Sequence, residues 1–231
     1  MVSVVIVTYN ASETLQRCLS SVYDQVAANQ LQVIVVDGES TDHTVSILEE
    51  NSSRIAYWIS ERDNGIYDAM NKGLSKVTTP WVYFLGADDE LLPEFSDFIQ
   101  VLKNPSSVYY ANVLYKGGKH SGLISPYRQA KLGIFHQSII YPSAIFKKYQ
   151  YNIQYKIAAD YALNMQLHKD PNYHFEYQDF TIARYNDTGI SATVVDEAFE
   201  KDKFKLIFKN FELGIVLRYW FRQAKQSFKN G

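Results

Sequence analysis

The chain has 231 residues, of which 46% are hydrophobic and 21% charged, with a net charge of −2; this composition excludes a disordered chain and is typical of a globular protein. Its one cysteine, Cys18, excludes an internal disulfide and a cysteine-based zinc site, so we expect a reducing compartment. No apolar run reaches about eighteen residues, and the chain begins directly on a β-branched run, so we expect neither a membrane span nor a signal peptide.

The first part of the chain alternates between strand and helix patterns. Apolar runs predict strands at Val2–Thr8, Leu31–Val36, Ile55–Ile59 and Trp81–Leu85. Helices are predicted between them, with Ser12 as one N-cap, Thr41 or Asp42 as the next, then Ile66–Lys76 and a helix from Pro93 to about Lys103. Such an alternation predicts a mostly parallel sheet covered on both faces, which binds ligands at the carboxyl ends of its strands.

Acidic residues follow these strands. Asp37 ends the second strand and Asp88-Asp89 follows the fourth, with Asp63 and Asp68 near the same edge. Close carboxylate pairs repel by about 4 kcal/mol at an effective dielectric near 20, and a resident cation would offset that repulsion. Mg²⁺ and Mn²⁺ prefer carboxylate oxygens and keep positions for phosphate and water, so we expect one of these ions here. Alternatively, Asp88-Asp89 is a solvated acidic turn before the next helix.

Two further motifs are consistent with a nucleotide pocket. Asp37 at a strand edge can accept a hydrogen bond from a base or a ribose hydroxyl, while Thr8 offers a polar contact and Tyr9 a wall. A turn at Gly65 enters a helix whose first amides can face an anion. Lys72 in that helix either offsets phosphate charge or is an ordinary surface lysine.

The second half of the chain has a different pattern. Val108–Tyr115 and the following Gly117-Gly118 turn predict a tyrosine-rich hairpin beside a cleft. A short strand at Ser138–Tyr141 and a helix near Ile157–His168 follow.

From about Glu197 the spacing of apolar residues predicts a helical tail that bends at Gly214. Residues 198–231 contain eight basic and three acidic residues, so this tail carries +5 and the rest of the chain −7. The tail also has eight aromatic residues, which favours contact with an anionic membrane surface. A helical dimer contact between two copies of the chain and a packed C-terminal cap are the alternatives.

Four segments, in this order, resemble the motifs of family-2 glycosyltransferases with the GT-A fold: Thr8-Tyr9-Asn10, residues 36–42, residues 65–73 and residues 84–89. The third segment resembles enzymes of bacterial exopolysaccharide, capsule and O-antigen synthesis. The resemblance covers about residues 1–170 and implies an α/β GT-A fold, Rossmann-like, with a mostly parallel sheet and helices on both faces, followed by the helical tail. We expect residues 1–105 to bind the nucleotide sugar, 106–196 to bind the acceptor, and 197–231 to form the basic aromatic tail.

The resemblance also implies roles for individual residues. Asp37 would bind uracil between Thr8 and Tyr9, Asp88 would contact the ribose, and Asp89 would bind Mn²⁺ or Mg²⁺ on the diphosphate. The remaining donor-side residues expected are Asn10, Asp63, Asp68, Asn71 and Lys72.

Family members place an acidic base downstream, and Asp160 stands in that position here. Inverting transfer needs a group that takes the proton of the acceptor hydroxyl while a metal neutralises the departing diphosphate. Read without the resemblance, Asp160 is a helix N-cap worth about 1 kcal/mol. His136-Gln137 also resembles a family element, which would line the acceptor site or join the metal sphere; a structural histidine is the alternative.

Some residues depart from the family pattern. Met70 stands where many relatives have arginine, and Gly38-Glu39 replaces the commoner Asp-Gly. The Gln-x-x-Arg-Trp motif of processive synthases is missing from the sequence, so we expect transfer of a single sugar.

The expected function is therefore a metal-dependent inverting glycosyltransferase that uses a UDP-hexose or UDP-N-acetylhexosamine. Its acceptor would be a lipid-linked saccharide or lipooligosaccharide at the cytoplasmic face of the membrane, with no nucleic-acid partner. A sugar-1-phosphate nucleotidyltransferase is an alternative, but it would need a glycine-rich basic loop after the first strand, where this chain has Thr8–Ser12. A non-catalytic carbohydrate-binding module is the other alternative, and it would not need Asp89 or Asp160.

Overall fold

The computed structural model describes residues 1–186 and 194–230, with side chains through residue 225. In this part of the chain nine strands form one sheet: β1 Val2–Thr8, β2 Leu31–Asp37, β3 Tyr57–Ser60, β4 Trp81–Gly86, β5 Glu90–Leu91, β6 Ser107–Tyr115, β7 Gly118–His120, β8 Ile139–Pro142 and β9 His174–Arg184. Their order is β3-β2-β1-β4-β8-β6-β9-β5, with β7 paired to β6.

The described helices are α1 Leu15–Tyr23, α2 Thr44–Glu50, α3 Ile66–Leu74, α4 Phe95–Phe98, α5 Pro126–Leu132, α6 Ala159–Lys169, α7 Glu197–Asn210 and α8 Leu213–Asn230. None of them is both long and apolar enough to cross a membrane.

The register of the parallel strands brings three motifs to one edge. Thr8 pairs with Asp37, and Val7 pairs with Gly86, so the chain after β1, β2 and β4 leaves the sheet at the same side. Because β8 runs antiparallel to β4, the residues that precede β8 lie beside those that follow β4. The second half of the chain thus continues the same sheet and reaches the same edge.

Apolar side chains cover both faces of the sheet, as the sequence predicts. Val4 and Ile6 of β1 belong to a core cluster with α1, whereas Val5 between them belongs to a second cluster with α3 and α6. Successive residues of a strand point to opposite faces, so a continuous apolar run supplies both cores.

Several local predictions are wrong. The helix after Pro93 is the single turn α4 followed by a 3₁₀ segment at Ile99–Val101, because the Tyr109 hydroxyl accepts the Lys103 and Asn104 amides that would continue it. Ser12 is not a cap: α1 begins at Leu15 without a side-chain cap. The Ser12 amide donates instead to Asp42, whose other oxygen accepts from the Thr44 amide at the start of α2. Strand β9 was not predicted.

The tail forms two helices that pack on the body of the protein. Phe199 and Ile207 of α7, and Val216 and Tyr219 of α8, are buried in the second core cluster. The chain bends at Phe211, which is extended and stacks on His168 with 4.4 Å between ring centroids, and not at Gly214, which lies inside α8. The basic residue Lys229 lies beyond the described side chains.

Candidate active site

One large cavity, of about 1060 Å³, opens at the edge where β1 and β4 end. Nine of the predicted site residues line it: Thr8, Tyr9, Asn10, Asp63, Asp88, Asp89, His136, Gln137 and Asp160. Four others do not: Asp37, Asp68, Asn71 and Lys72. The donor-side and acceptor-side predictions therefore meet in one space, at the strand ends where ligands of such sheets bind.

Asp89 is buried at this edge and held from two sides. Its Oδ1 accepts from the Asn186 amide at 2.8 Å, and its Oδ2 accepts from Gln137 Nε2 at 2.9 Å. Burial, with the neighbouring Asp88 charge, raises the pKa of Asp89 to about 7, although the bonds from Asn186 and Gln137 oppose the rise.

Asp88 and Asp89 both fold back over Gly86. A Cβ at Gly86 would lie 2.7 Å from Asp89 Oδ2 and 2.9 Å from Asp88 Oδ1, so a side chain there would displace both carboxylates. Asn186 Nδ2 donates to Asp88 Oδ2 at 3.2 Å, which links the two acids to the end of β9. The pair is thus a fixed element of the cavity wall and not a freely solvated turn.

His136 and Gln137 connect the two halves of the site. Gln137 contacts Asp89, while His136 Nδ1 lies 3.8 Å from Asp160 Oδ2. The His136 ring packs edge-on against Phe84, with 5.3 Å between centroids. Burial lowers the pKa of His136 against the opposing effect of Asp160, so the imidazole is neutral near pH 7.

Asp160 lies in the first turn of α6, at the cavity wall. Its Oδ1 accepts a 2.5 Å hydrogen bond from the Tyr67 hydroxyl, which also lies 2.7 Å from the Ile157 carbonyl oxygen. Among the described residues no donor forms a hydrogen bond with Asp160 Oδ2. The N-cap interpretation is wrong, because Ala158 occupies the cap position of α6. Burial and the Asp160 charge keep the pKa of the Tyr67 phenol well above its usual value, so this phenol stays a donor.

Asp37 does not line the cavity. It is fully buried and accepts hydrogen bonds from the Ser40 amide, the Ser40 hydroxyl and the Ser60 hydroxyl. In this state it shapes the loop after β2, whose Ser40 hydroxyl accepts in turn from the Asn10 amide. Direct contact between Asp37 and a nucleobase stays a prediction.

The other three predicted donor residues do not line the cavity and make contacts elsewhere. Asp68 accepts from the Asn64 amide, and Asn71 exchanges hydrogen bonds with the backbone of Tyr151. Lys72 pairs with Glu61 at 2.8 Å. In the structure these side chains shape the turn before α3 and its packing.

The expectation that clustered acids surround one ion is wrong in its simple form. Among the described residues no three His, Cys, Asp or Glu side chains lie close enough to hold a metal ion together. Hydrogen-bond donors of their own stabilise the acids individually, as Ser40 does for Asp37 and the Gly65 amide does for Asp63. What the structure does offer is the Asp88-Asp89 pair, and one or two carboxylates are enough for a divalent ion that also binds substrate phosphates. The chemistry of this donor set therefore fits a metal–diphosphate site.

Sequence reasoning missed residues that complete the site. Tyr67 is part of the third motif, but nothing in the sequence pairs it with Asp160, which is 93 residues away. Asn186 lies outside the part of the chain that carries the family resemblance, about residues 1–170. It contacts Asp89 only because β9 pairs with β5. Thr8 lines the cavity, and its buried hydroxyl has no hydrogen-bond partner among the described residues, so its hydrogen-bonding capacity is unused there.

Comparison with known proteins decides the family. The sequence model described as glycosyl transferase family 2 matches residues 3–184. The chain belongs to glycosyl transferase family 2. The PGL/p-HBAD biosynthesis glycosyltransferases of Mycobacterium bovis (strain BCG / Pasteur 1173P2) and Mycobacterium tuberculosis (strain ATCC 25618 / H37Rv) are each 32% identical to it over 214 residues, which cover 87% of this chain and 83% of theirs. The family-2 protein is thus a sugar-transferring enzyme.

Solved structures show the same fold at low sequence identity. S. aureus TarS has a TM-score of 0.73 at 19% identity and covers 93% of this chain, which spans 41% of TarS. The S. aureus TarS 1–349 complex with UDP-GlcNAc has a TM-score of 0.70 at 17% identity, over 89% of this chain and 64% of that one. The mannosyltransferase PcManGT from Pyrobaculum calidifontis, in complex with GDP-Man and Mn²⁺, has a TM-score of 0.69 at 19% identity, over 91% and 65%. The family-2 chain therefore has the expected GT-A fold.

Proposed function

We propose that this family-2 glycosyltransferase transfers one sugar from a uridine diphosphate sugar, with inversion at the anomeric carbon, to a lipid-linked saccharide or lipooligosaccharide in bacterial surface-polysaccharide synthesis. One observation carries the proposal: Asp89 and Asp160 line the same cavity, where Gln137 donates to Asp89 and its neighbour His136 lies 3.8 Å from Asp160. The residues proposed here for the metal-bound leaving group and for the base would thus act in one space.

The donor half of the cavity fits a nucleotide. The exposed Tyr9 ring lies at its wall beside Thr8, whose hydroxyl has no partner in the described part of the chain, and Asp63 packs over Gly38. A Cβ at Gly38 would lie 2.6 Å from Asp63 Oδ2, so this glycine lets Asp63 approach the loop after β2. The choice of uridine is supported by the TarS complexes with UDP and UDP-GlcNAc, since these proteins share the fold. Residues 1–105 form the donor half in this proposal, and 106–196 the acceptor half.

Asp89, assisted by Asp88, would hold Mn²⁺ or Mg²⁺. When bound, the ion would neutralise charge on the departing diphosphate. Asp89 is suited to a cation because its buried carboxylate has a raised pKa, which a positive charge would lower. The Mn²⁺ complex of PcManGT supports a divalent ion in this fold.

Asp160 would act as the base. Its Oδ1 is engaged by Tyr67, and Oδ2 is the oxygen left to accept the proton of the acceptor hydroxyl. As that proton moves to Asp160, the acceptor oxygen forms a bond to the anomeric carbon, and the bond to the diphosphate oxygen breaks on the opposite face. His136 Nδ1 lies 3.8 Å from Asp160 Oδ2, and burial lowers the pKa of His136, so the imidazole does not neutralise the charge of the base.

The tail would hold the enzyme at the cytoplasmic face of a membrane. Its described helices expose large apolar side chains in addition to those buried in the core: Phe204, Phe208, Leu213, Leu217, Trp220 and Phe221. The lysines of α7, such as Lys205 and Lys209, are exposed beside them. An apolar stripe flanked by cations fits an anionic lipid surface, where a lipid-linked acceptor resides.

The two alternative functions are not favoured. Family membership speaks against a sugar-1-phosphate nucleotidyltransferase, and the coupled Asp89 and Asp160 sites have no use in a binding module.

A nucleotide-sugar panel tests the proposal. We expect UDP-glucose, UDP-galactose, UDP-GlcNAc or UDP-GalNAc with Mn²⁺ to raise the thermal unfolding midpoint more than GDP-mannose does, and EDTA to remove the shift. Sugar incorporation into a membrane extract then reports turnover, because UDP release alone would also count hydrolysis of the donor. A shift that is insensitive to EDTA would contradict the metal role of Asp89, and a larger response to GDP-mannose would contradict the uridine donor.

A further inference from the structure

We propose that Asp196, at the start of the tail, is a positioning residue for Asp160. The inference rests on the proposed role of Asp160 as base. Asp196 caps helix α7 through its Oδ1, which accepts from the Phe199 amide at 3.1 Å. Its Oδ2 accepts hydrogen bonds from outside the tail, from the Ile157 and Ala158 amides at 2.8 and 3.1 Å. One carboxylate therefore joins the tail to the loop that precedes the base.

The contacts converge on a single peptide group. The Ile157–Ala158 peptide offers its N–H to Asp196 and its carbonyl oxygen to the Tyr67 hydroxyl. A peptide group is planar, so holding both ends fixes its orientation. Asp160 follows two residues later, in the first turn of α6, and the same Tyr67 hydroxyl contacts its Oδ1. The orientation of the Asp160 side chain is thus set by its contact with Tyr67 and, through the Ile157–Ala158 peptide, by Asp196.

The sequence of the loop explains why an outside carboxylate is needed. Ala158 is the N-cap residue of α6 and has no side-chain oxygen with which to cap the helix. Asp196 supplies negative charge near this helix start, where the backbone amides favour an anion. The carboxylate is buried, with 9% of the residue exposed, and it satisfies three amides at once.

The substitution Asp196→Ser tests the contact with the loop separately from the cap of α7. Asp196→Ser keeps a residue type that caps helices well, but its short side chain reaches only its own helix. We expect kcat to fall about 10-fold or more, because the base loses its fixed direction, while the KM for the UDP-sugar changes by less than about twofold. Asp196→Asn retains one acceptor oxygen in place of two, so its kcat should lie between those of the wild type and Asp196→Ser, and it serves as the test if the serine variant does not fold.

Asp202 provides the matched control. Its carboxylate accepts from the Tyr155 hydroxyl at 2.9 Å, another contact between α7 and the same loop, but away from the peptide before α6. Asp202→Asn should keep wild-type kcat. Wild-type kcat in Asp196→Ser, or an equal loss in Asp202→Asn, would overturn the proposal. An active Asp160→Asn enzyme would instead overturn the base itself, so the two failures are distinguishable.

Discussion

The Tyr67 hydroxyl lies 2.5 Å from Asp160 Oδ1 and 2.7 Å from the Ile157 carbonyl oxygen. Helix α3, which follows the glycine turn of the third motif, therefore contacts the proposed base directly. The third motif and the proposed base are parts of one hydrogen-bonded unit, although they are far apart in the sequence.

Removing the charge of Asp160 tests the base. Asp160→Asn keeps the shape of the side chain but cannot take a proton, so kcat should fall about 10²- to 10⁴-fold. The KM for the UDP-sugar should stay near the wild-type value, because the base acts on the acceptor. Initial rates of product formation measure this, and UDP release alone does not, since donor hydrolysis also releases UDP. Asp179→Asn, at an exposed carboxylate of β9, should keep full activity.

Removing the Tyr67 hydroxyl tests how the base is held. Tyr67→Phe leaves the buried Asp160 and Ile157 oxygens without their donor, so the free energy of unfolding should fall by about 1–3 kcal/mol. The kcat should fall as well, because Asp160 gains freedom of orientation. Denaturant titration and steady-state kinetics measure the two effects.

Tyr109→Phe is a matched control for this variant. Its hydroxyl is also buried and accepts the Lys103 and Asn104 amides, far from the cavity. It should lose stability without losing kcat. A Tyr67→Phe enzyme with wild-type kcat would show that the hydroxyl only supports the fold.

Asp89 predicts an unusual pH dependence of stability. Its folded-state pKa of about 7 exceeds the ordinary carboxyl value of 3.8, so between these values the native state binds more protons than the unfolded chain. Its contribution therefore makes the free energy of unfolding fall as pH rises from about 4 to about 7, by on the order of 3 kcal/mol. Asp89→Asn should remove this slope when both proteins are measured without metal. Identical slopes in the two proteins would refute the assignment.

Adding Mn²⁺ and UDP should reverse this fall in stability with rising pH. Ligands that bind only the ionised carboxylate stabilise the folded protein more at pH 8 than at pH 6. The difference in thermal midpoint with and without Mn²⁺ and UDP, taken at both pH values, measures this effect. A shift equal at both values would mean that the ion binds elsewhere.

The exposed aromatic residues of the tail predict binding to lipid. Phe208 and Phe221 are 64% and 63% exposed, so replacing both with serine should leave stability unchanged. Partitioning into vesicles that contain phosphatidylglycerol should fall about 10-fold, because two aromatic side chains no longer enter the lipid. Val26→Ser, at a residue 96% exposed outside the tail, is the control. Unchanged partitioning would favour a contact between two copies of the chain, which sedimentation would detect.

The sequence predicted the strands that form the edge of the cavity. The apolar runs that form β1, β2 and β4 are recognisable because strands buried on both faces need apolar residues at every position. The carboxyl ends of parallel strands meet at one edge, so Thr8, Tyr9 and the Asp88-Asp89 pair were placed in the cavity correctly. Asp160 was found only through the family resemblance.

The hydrogen-bond partners of these residues could not be predicted from the sequence. Whether a carboxylate faces a ligand or a neighbouring hydroxyl depends on side chains brought near by folding, as Asp37 and Ser60 illustrate. The prediction that the acids surround one ion is wrong for this reason: the acids have hydrogen-bond donors that the sequence did not reveal.

By itself the sequence determined the strand–helix alternation, the acids at the strand ends and the family, because these depend on residue order and on short-range patterns. Only the tertiary structure decided which side chains form hydrogen bonds with which partners. Gln137 reaches Asp89 because β8 runs antiparallel to β4, and Asp196 reaches the loop before Asp160 because α7 packs against α6. Such contacts arise between distant parts of the chain, and hydrogen bonds depend on distance and angle in space, which no spacing along the sequence specifies.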